Sequence, residues 1–169
     1  GGLLHDSGKV GIPADIIDKA GPLTPEEFNI IREHPRLGVR ILEPIKAYRE
    51  IISLVLHHHE RYDGTGYPNG IAGDAISLPA RILAVADVFE SIITDRPYRP
   101  AVTLDEACRI LAEESGKHFD PHIVRTLLQI IEDGRRAAAA SGGDERAAVI
   151  SHLTESSHTM PASPERSCV

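Results

Sequence analysis

Apolar side chains recur along this chain with the spacing of an α-helix, and no segment sustains the apolar–polar alternation of a strand. The pattern is longest over residues 78–94. A nearly continuous apolar run within 48–57 predicts a helix that is buried over most of its surface. We therefore predict an all-α fold, a helical bundle of about six to seven helices. The predicted helices lie at about residues 24–34, 35–45, 48–57, 78–94, 103–116 and 120–136.

Short sequence signals mark where several of these helices begin. Thr24 with Glu27, and Thr103 with Glu106, have the spacing of a capping box. In that motif the N-cap hydroxyl and the Glu carboxylate each accept a hydrogen bond from the other residue's backbone N–H. Ser77 is expected to cap the long helix that follows it. These signals favour helices that start close to these positions.

The composition of the chain changes near residue 136. Residues 1–136 are predicted to form one helical domain. Residues 137–169 are rich in Ala, Ser, Gly and Pro, so we expect a low-complexity, disordered tail in which 144–154 could form a transient helix. At the other end, Leu3 and Leu4 run into polar residues without a helix cap. We therefore expect the domain to be incomplete at its N-terminus, with the chain opening partway through a helix.

Composition excludes several classes of partner. Hydrophobic residues make up 41% of the 169 and charged residues 25%, as in a soluble globular protein. The formal net charge of −7 argues against DNA binding and against contact with an anionic membrane. No apolar run approaches the length of a membrane span. Because Cys108 and Cys168 are isolated, a disulfide framework is not expected, and the prediction is a reducing, cytoplasmic location.

Residues 57–68 carry the densest chemistry in the sequence. Three adjacent histidines, at 57–59, are followed by Glu60 and Asp63 and then by a Gly-Thr-Gly turn. Imidazole and carboxylate groups are the ligands that zinc, iron and manganese take from proteins. The run therefore predicts a metal site, and the alternative is a polar helix terminus in solvent.

Two further groups of polar residues precede this run. His5 and Asp6 are adjacent, and a metal ion accepts both an imidazole and a carboxylate that bridges two ions. Lys9 adds a cation that would suit an anionic substrate. His34 is expected at a helix end, where the helix dipole favours a histidine even without a metal. The alternative for His5 and Asp6 is an ordinary helix end followed by a capping carboxylate.

Asp87 interrupts an otherwise apolar helix, so the sequence predicts a buried carboxylate there. Burial of a carboxylate is unfavourable unless it is paired or bound to a metal, and Arg81 or Arg96 could supply the pair. Arg96 and Arg99 lie just beyond this helix. Guanidinium groups bind phosphate oxygens as a fork, and the alternative is a solvated loop.

Together, the separate His and Asp groups, with a lysine beside one and two arginines after another, predict a multi-metal site for a phosphate ester. Two metal ions a few ångströms apart activate a bridging water and stabilise the leaving oxygen of an in-line displacement. The Gly-Thr-Gly turn lacks the strand–turn–helix setting of a phosphate-binding loop.

The residues described above resemble the HD-GYP domain of bacterial signalling proteins, a branch of the HD-domain metal-dependent phosphohydrolases. The resemblance covers nearly all of residues 3–128 and depends on long, specific motifs. The matching stretches are HDSGK at 5–9, IPADIIDKAGPLTPEEF at 12–28, REHPRLG at 32–38, HHERYDGTGYPNGI at 58–71, LPARILAVADVFESIITDRPYRPA at 78–101 and GKHFDPHIV at 116–124.

The resemblance implies a role for each residue that matches a family motif. Asp6 is expected to bridge two ions and, with Lys9, to serve catalysis, whereas His57 is a neighbour of the site. The implied metal ligands are His5, Asp6, His34, His58, His59 and Asp87, and the implied substrate contacts are Lys9, Tyr67, Arg96 and Arg99.

The resemblance also implies a function. Members of the family hydrolyse cyclic di-GMP to the linear dinucleotide and often on to GMP, with a centre of two or three iron or manganese ions. The loop at 60–74 is associated with substrate and with partners such as a diguanylate cyclase. An upstream receiver or sensory domain is expected in the parent protein.

One departure from the family pattern keeps two alternatives open. The family places another ligand His, and sometimes a Glu, upstream of the His-Asp pair, and this sequence begins four residues before that pair. One alternative is therefore a module that binds nucleotide or a protein partner without hydrolysis. Another is an HD phosphohydrolase for a different cyclic dinucleotide or nucleotide.

Overall fold

The computed structural model describes residues 1–95 and 99–155, with side chains to residue 153. These residues contain no β-strand, and Ser115 and Phe119 form an isolated bridge. The predicted all-α fold is confirmed. Short 3-10 helices occupy Ser7–Gly11, Lys46–Ile51 and Gly73–Ala75. The α-helices of the described residues are α1 (Ala14–Ile17), α2 (Pro25–Ile31), α3 (His34–Leu42), α4 (Ile52–His57), α5 (Leu78–Ile93), α6 (Leu104–Glu113), α7 (Pro121–Ser141) and α8 (Glu145–Glu155).

The predicted helix starts are present, with differences in their capping bonds. Thr24 and Glu27 form the complete capping box at the start of α2. The Thr103 hydroxyl accepts from the Glu106 N–H at the start of α6, while the Glu106 carboxylate accepts hydrogen bonds from Arg109. Ser77 is the N-cap of α5 without a side-chain capping bond. Short sequence signals therefore located these helix starts, and competition from Arg109 accounts for the incomplete capping box at Thr103.

Helix α5 carries the largest share of the core in the first compact unit of the chain, residues 1–124. It packs against α4 and α6. Because the chain has no Trp and few other aromatics, aliphatic side chains fill most of this core, and Phe89 and Phe119 are buried with them. The buried positions of α5 are Ala80, Ala84, Val85, Phe89, Ile92 and Ile93.

The 3-10 helix Ser7–Gly11 packs directly on α3, which in turn packs on α4. Gly8 makes the first contact possible, because a Cβ there would lie 1.8 Å from the carbonyl oxygen of His34. The backbone of Gly8 does not have a positive φ. The close approach of the two backbones, rather than an unusual φ, is therefore what requires glycine at this position.

The second compact unit begins at Arg125. Within it Gly134 of α7 lies against α8, where a Cβ would be 2.9 Å from the Cα of Val149. Arg135 and Glu145 form an ion pair with 2.6 Å between Nε and Oε1. The expectation of disorder from residue 137 therefore differs from the structure, which is helical over 137–141 and 145–155.

Small residues explain this difference, because a stripe of alanine and glycine packs closely against a neighbouring helix without a broad apolar face. Residues 156–169 of the predicted tail, including Cys168, lie outside the described residues. Among the helices that are described, none has the length and apolar character needed to cross a membrane.

Candidate metal centre

Three packed elements bring most of the predicted ligands together. His5 and Asp6 lie in the turn before the first 3-10 helix, and His34 is the first residue of α3. His58 and His59 follow the last residue of α4. Because the Ser7–Gly11 helix, α3 and α4 pack in sequence, these segments present their ligands to one point. An ionisable oxygen or nitrogen from each of Asp6, His34, His58 and His59 lies within 4.8 Å of every other.

Three of the imidazoles are oriented by the same local hydrogen bond. Nδ1 of each donates to the carbonyl oxygen three residues earlier: His5 to Gly2 at 2.5 Å, His34 to Ile31 at 2.7 Å and His58 to Val55 at 2.8 Å. A carbonyl oxygen only accepts, so Nδ1 carries the proton in each ring. The opposite nitrogen, Nε2, is then an acceptor that is free to bind a metal.

The carboxylate of Asp6 lies between two groups of ligands. Its Oδ1 is 3.3 Å from Nε2 of His34 and 3.9 Å from Nε2 of His58. Its Oδ2 is 3.3 Å from Nε2 of His5 and 2.6 Å from Nζ of Lys9. Oδ1 is buried and makes no hydrogen bond of normal geometry within the described residues.

Asp87 lies at the edge of this cluster, and its surroundings differ from the predicted buried carboxylate. Its Oδ1 is 3.9 Å from Nε2 of His5, and its side chain is 43% exposed. The prediction of a buried carboxylate at this position is therefore wrong. Arg81, one suggested partner, instead pairs with Asp74 and Asp120, at 2.8 and 2.6 Å. On the helix, Asp87 faces the open side of the cluster rather than the core.

Burial and charge set the protonation of the cluster. Desolvation lowers the pKa of His58 to about 4 and that of His59 to about 2. Burial raises the pKa of Asp6, but the neighbouring His34, His5 and Lys9 outweigh it and hold that pKa well below its usual range. At neutral pH the two imidazoles are therefore neutral and the carboxylate is ionised, the forms in which they bind metals.

The geometry of the nitrogens tests whether a cation suits the cluster. Nε2 of His34 and Nε2 of His58 face each other at 3.2 Å. Because both rings carry their proton on Nδ1, two lone pairs converge there beside the buried Oδ1 of Asp6. His34 is fully buried, so water cannot separate these groups. Neutral imidazoles around a carboxylate form a donor set that suits a transition metal ion, and the residues present fit one.

Glu60 is a buried residue whose role the sequence did not reveal. It is 2% exposed, and its Oε1 accepts a hydrogen bond of 2.7 Å from the backbone N–H of Asn69. The Asn69 amide contacts His57 at 3.2 Å, and Arg36 donates to the carbonyl of Pro68 at 2.9 Å. These contacts hold the loop at 60–74 against the helices. An acid directly after the histidine run was the only available signal.

The remaining predicted residues have different surroundings. The Tyr67 ring stacks on His59, with centroids 4.9 Å apart, and the Tyr67–Pro68 peptide bond is cis. Arg99 donates to the carbonyl of Ser91 at 2.6 Å, one turn beyond Asp87 on α5. Arg96 lies outside the described residues.

Comparison with protein families gives one match that covers most of the chain. The family model described as HD domain matches residues 1–123. These residues include every described side chain of the metal cluster and the whole loop at 60–74.

Several curated relatives resemble this chain. The cyclic di-GMP phosphodiesterase response regulator RpfG of Xanthomonas campestris pv. campestris is 46% identical over 128 residues, which cover 75% of this chain and 34% of the relative. A cyclic di-GMP phosphodiesterase of Thermotoga maritima is 43% identical over 131 residues, covering 75% and 35%. The 3'3'-cGAMP-specific phosphodiesterase 3 of Vibrio cholerae is 38% identical over 129 residues, covering 76% and 28%. The chain thus spans about a third of the length of these relatives.

Proposed function

We propose that this chain, which belongs to the HD-domain family and is of the HD-GYP type, is a metal-dependent phosphodiesterase that hydrolyses cyclic di-GMP in bacterial signalling. The products would be the linear dinucleotide, GMP or both. The observation that carries the proposal is the set of converging Nε2 atoms around the Asp6 carboxylate. The names of relatives at 43–46% identity supply the substrate.

Two groups of residues would hold the metal ions, with Asp6 shared between them. His34 and His58 lie near Oδ1 of Asp6, and His59 belongs to the same cluster. His5 lies near Oδ2, and Asp87 lies beside His5. This arrangement suits two or three iron or manganese ions. When bound, such ions polarise a phosphoryl oxygen and lower the pKa of a coordinated water.

The residues of the chain would bind and orient the phosphate. Lys9, now paired with Asp6, would supply positive charge next to the ions. Burial raises the pKa of Tyr67 to about 12, so its phenol stays protonated and can donate a hydrogen bond to the substrate. Arg99 and Arg96 would bind phosphate oxygens as forks, and Arg99 would exchange the Ser91 carbonyl for the phosphate.

The proposal includes a protein partner for the loop at 60–74 and a cytoplasmic location. The loop at 60–74 has exposed positions at Asp63, Thr65 and Asn69, on which a diguanylate cyclase or another signalling protein could dock. The substrate is a bacterial second messenger, so we place the reaction in the cytoplasm. Co-purification of the chain with a cyclase, lost when these three positions are changed together, would support the docking.

A second substrate is favoured by one observation. Three relatives at 38–40% identity are named as specific for 3'3'-cGAMP, which has one guanine and one adenine. The same metal centre would serve both substrates, because the phosphodiester is the same. Selection between them then falls to residues that contact the bases.

The test uses the chain loaded anaerobically with Fe²⁺ or Mn²⁺. Bound metal is quantified by mass spectrometry, and turnover of cyclic di-GMP and 3'3'-cGAMP is followed by chromatography of the products. We expect turnover that Asp6→Asn abolishes together with bound metal. A metal-loaded chain that hydrolyses neither substrate would refute the proposed phosphodiesterase and leave the non-hydrolytic binding module or an HD phosphohydrolase for another nucleotide.

A further inference from the structure

A second cluster of side chains, formed by Phe28, Arg32 and Tyr67, lies beside the predicted metal ligands. The Arg32 guanidinium carbon is 5.5 Å from the centroid of the Phe28 ring and 5.0 Å from that of Tyr67. The two rings meet edge to face, with centroids 6.2 Å apart. Tyr67 also stacks on His59. A continuous line of rings therefore runs from the metal cluster to the protein surface.

Local structure explains how this cluster forms. Phe28 and Arg32 are four residues apart at the end of α2, so they share one face of that helix. The loop held by Glu60 carries Tyr67 to the same face. Arg32 would otherwise be an ordinary solvated arginine, but here its guanidinium carbon lies over the rings of both Phe28 and Tyr67.

The group of this cluster that is available to a ligand is the N–H edge of the Arg32 guanidinium. Within residues 1–95 and 99–155, no hydrogen bond or ion pair of the Arg32 side chain is seen. Arg36, one turn further on, donates instead to Pro68 and Asn69. Phe28 is 42% exposed although it is a large aromatic residue. The cluster thus offers an exposed ring for stacking and a fork of unused N–H donors.

We propose that Phe28, Arg32 and Tyr67 form a base-recognition site in which the Arg32 fork selects guanine over adenine. The inference rests on the proposed function and deepens it, because it names the residue that would separate cyclic di-GMP from adenine-containing analogues. A purine that stacks on Phe28 would present its Hoogsteen edge to the guanidinium. Guanine offers two acceptors there, N7 and O6, whereas adenine offers N7 and a donor amino group.

The position of the site selects a nucleobase over other planar ligands. His59 belongs to both clusters, being a candidate metal ligand on one side and the stacking partner of Tyr67 on the other. A phosphodiester at the metal ions would therefore have its attached base near these rings. Stacking on an aromatic side chain accepts any base, so discrimination depends on the guanidinium edge.

The test compares binding of 5'-GMP and 5'-AMP to the Mn²⁺-loaded chain by calorimetry, a measurement that needs no turnover. We expect the wild type to bind 5'-GMP more tightly by about ten- to a hundredfold, the range of a good bidentate contact. Arg32→Ala and Arg32→Lys should both lose this preference, because lysine keeps the charge but lacks the fork. Arg40→Ala, which removes an exposed charge on α3, should keep it.

Several results would overturn the inference. They are a wild type without a preference for 5'-GMP, an unchanged preference in Arg32→Ala, and a preference that Arg32→Lys retains. Failure of the proposed function looks different. A wild type that hydrolyses no cyclic dinucleotide, yet prefers 5'-GMP through Arg32, would support the base site and refute the phosphodiesterase. Retained metal content in Arg32→Ala shows that the variant is folded.

Discussion

Individual histidines in this protein are oriented by the backbone three residues before them. The Nδ1 bonds of His5, His34 and His58 fix both the tautomer and the ring plane without a second acidic residue. The predicted ligands are therefore organised by the backbone itself. The remaining predicted histidine ligand, His59, has its pKa strongly lowered by desolvation, and the consequence for stability depends on pH.

His59 should make the metal-free protein less stable in acid. Its pKa falls from 6.5 to about 2 on folding, mainly by desolvation. As pH falls below 6.5, the unfolded chain binds a proton that the folded chain does not, so the free energy of unfolding decreases. Between pH 7 and pH 5 this loss would reach about 2 kcal/mol. Urea unfolding in EDTA should show a smaller loss over this interval for His59→Gln than for wild type.

Other histidines near His59 do not reverse the expected difference between wild type and His59→Gln in the loss of stability at low pH. His58, with a pKa of about 4, acts in the same direction, whereas His5 has a raised pKa and adds stability at low pH. Both groups are present in the wild type and in the variant, so the difference isolates His59. Equal losses in the two proteins would show that His59 is not desolvated in the folded state.

At the scale of elements, the contact between the Ser7–Gly11 helix and α3 sets the geometry of the site. It places Asp6 against His34, so a shift of this contact separates two ligands. The contact depends on Gly8, whose missing side chain leaves room for the α3 backbone. Metal binding should therefore be sensitive to a residue that is not itself a ligand.

Gly8→Ala should destabilise the protein by about 1–3 kcal/mol, as expected for overpacking, and lower its metal content. The new Cβ would meet backbone atoms, which cannot move aside as a flexible side chain does. Gly21→Ala is the matched control, because a Cβ there has no atom within 4 Å. Urea unfolding and metal quantification measure the two effects. A Gly8→Ala protein equal to the control would contradict the packing argument.

The loop at 60–74 should depend on the Glu60 acceptor. Glu60→Ala leaves the Asn69 N–H without its partner, at a cost of about 1–3 kcal/mol. Glu60→Gln keeps an oxygen acceptor and serves as the control. Hydrogen–deuterium exchange should show faster exchange across 60–74 in Glu60→Ala than in Glu60→Gln. Similar exchange in both variants would mean that the loop is held by other contacts.

At the scale of the whole molecule, metal binding and folding should be linked. The cluster draws its ligands from three packed elements, so it exists only in the folded state. Free Mn²⁺ at a hundred times its Kd would stabilise the fold by about 2.7 kcal/mol. Thermal unfolding should show a higher Tm with Mn²⁺ and its reversal with EDTA. Asp6→Asn should show no shift, and an equal shift in that variant would place the metal elsewhere.

Much of the local structure could be predicted from the sequence. The helix starts at Thr24, Ser77 and Thr103 were recognised because capping and apolar spacing act over a few residues. The residues of the metal cluster lie in long, specific motifs that the HD-domain match covers, and their roles as metal ligands remain predictions. The roles assigned to Lys9 and Arg99 remain predictions.

Only the tertiary structure decided how these residues meet, since contacts between distant segments leave no local pattern. The histidines' spacing could not show that Nε2 of His34 and of His58 converge on one oxygen of Asp6. Nor could an apolar helix show that Asp87 faces outward, because its surroundings depend on which side α4 and α6 cover.

The surroundings of Glu60 and Arg32 also depend on the tertiary structure. Glu60 and Arg32 look alike in the sequence, as charged residues beside a histidine motif. Folding buries Glu60 under a loop and places the Arg32 guanidinium over two rings, without a polar partner among the described residues. The sequence by itself therefore determined the helices and the family, through local spacing and specific motifs, and it predicted the ligand types. Packing determined which atoms face one another, because that depends on segments far apart in the chain.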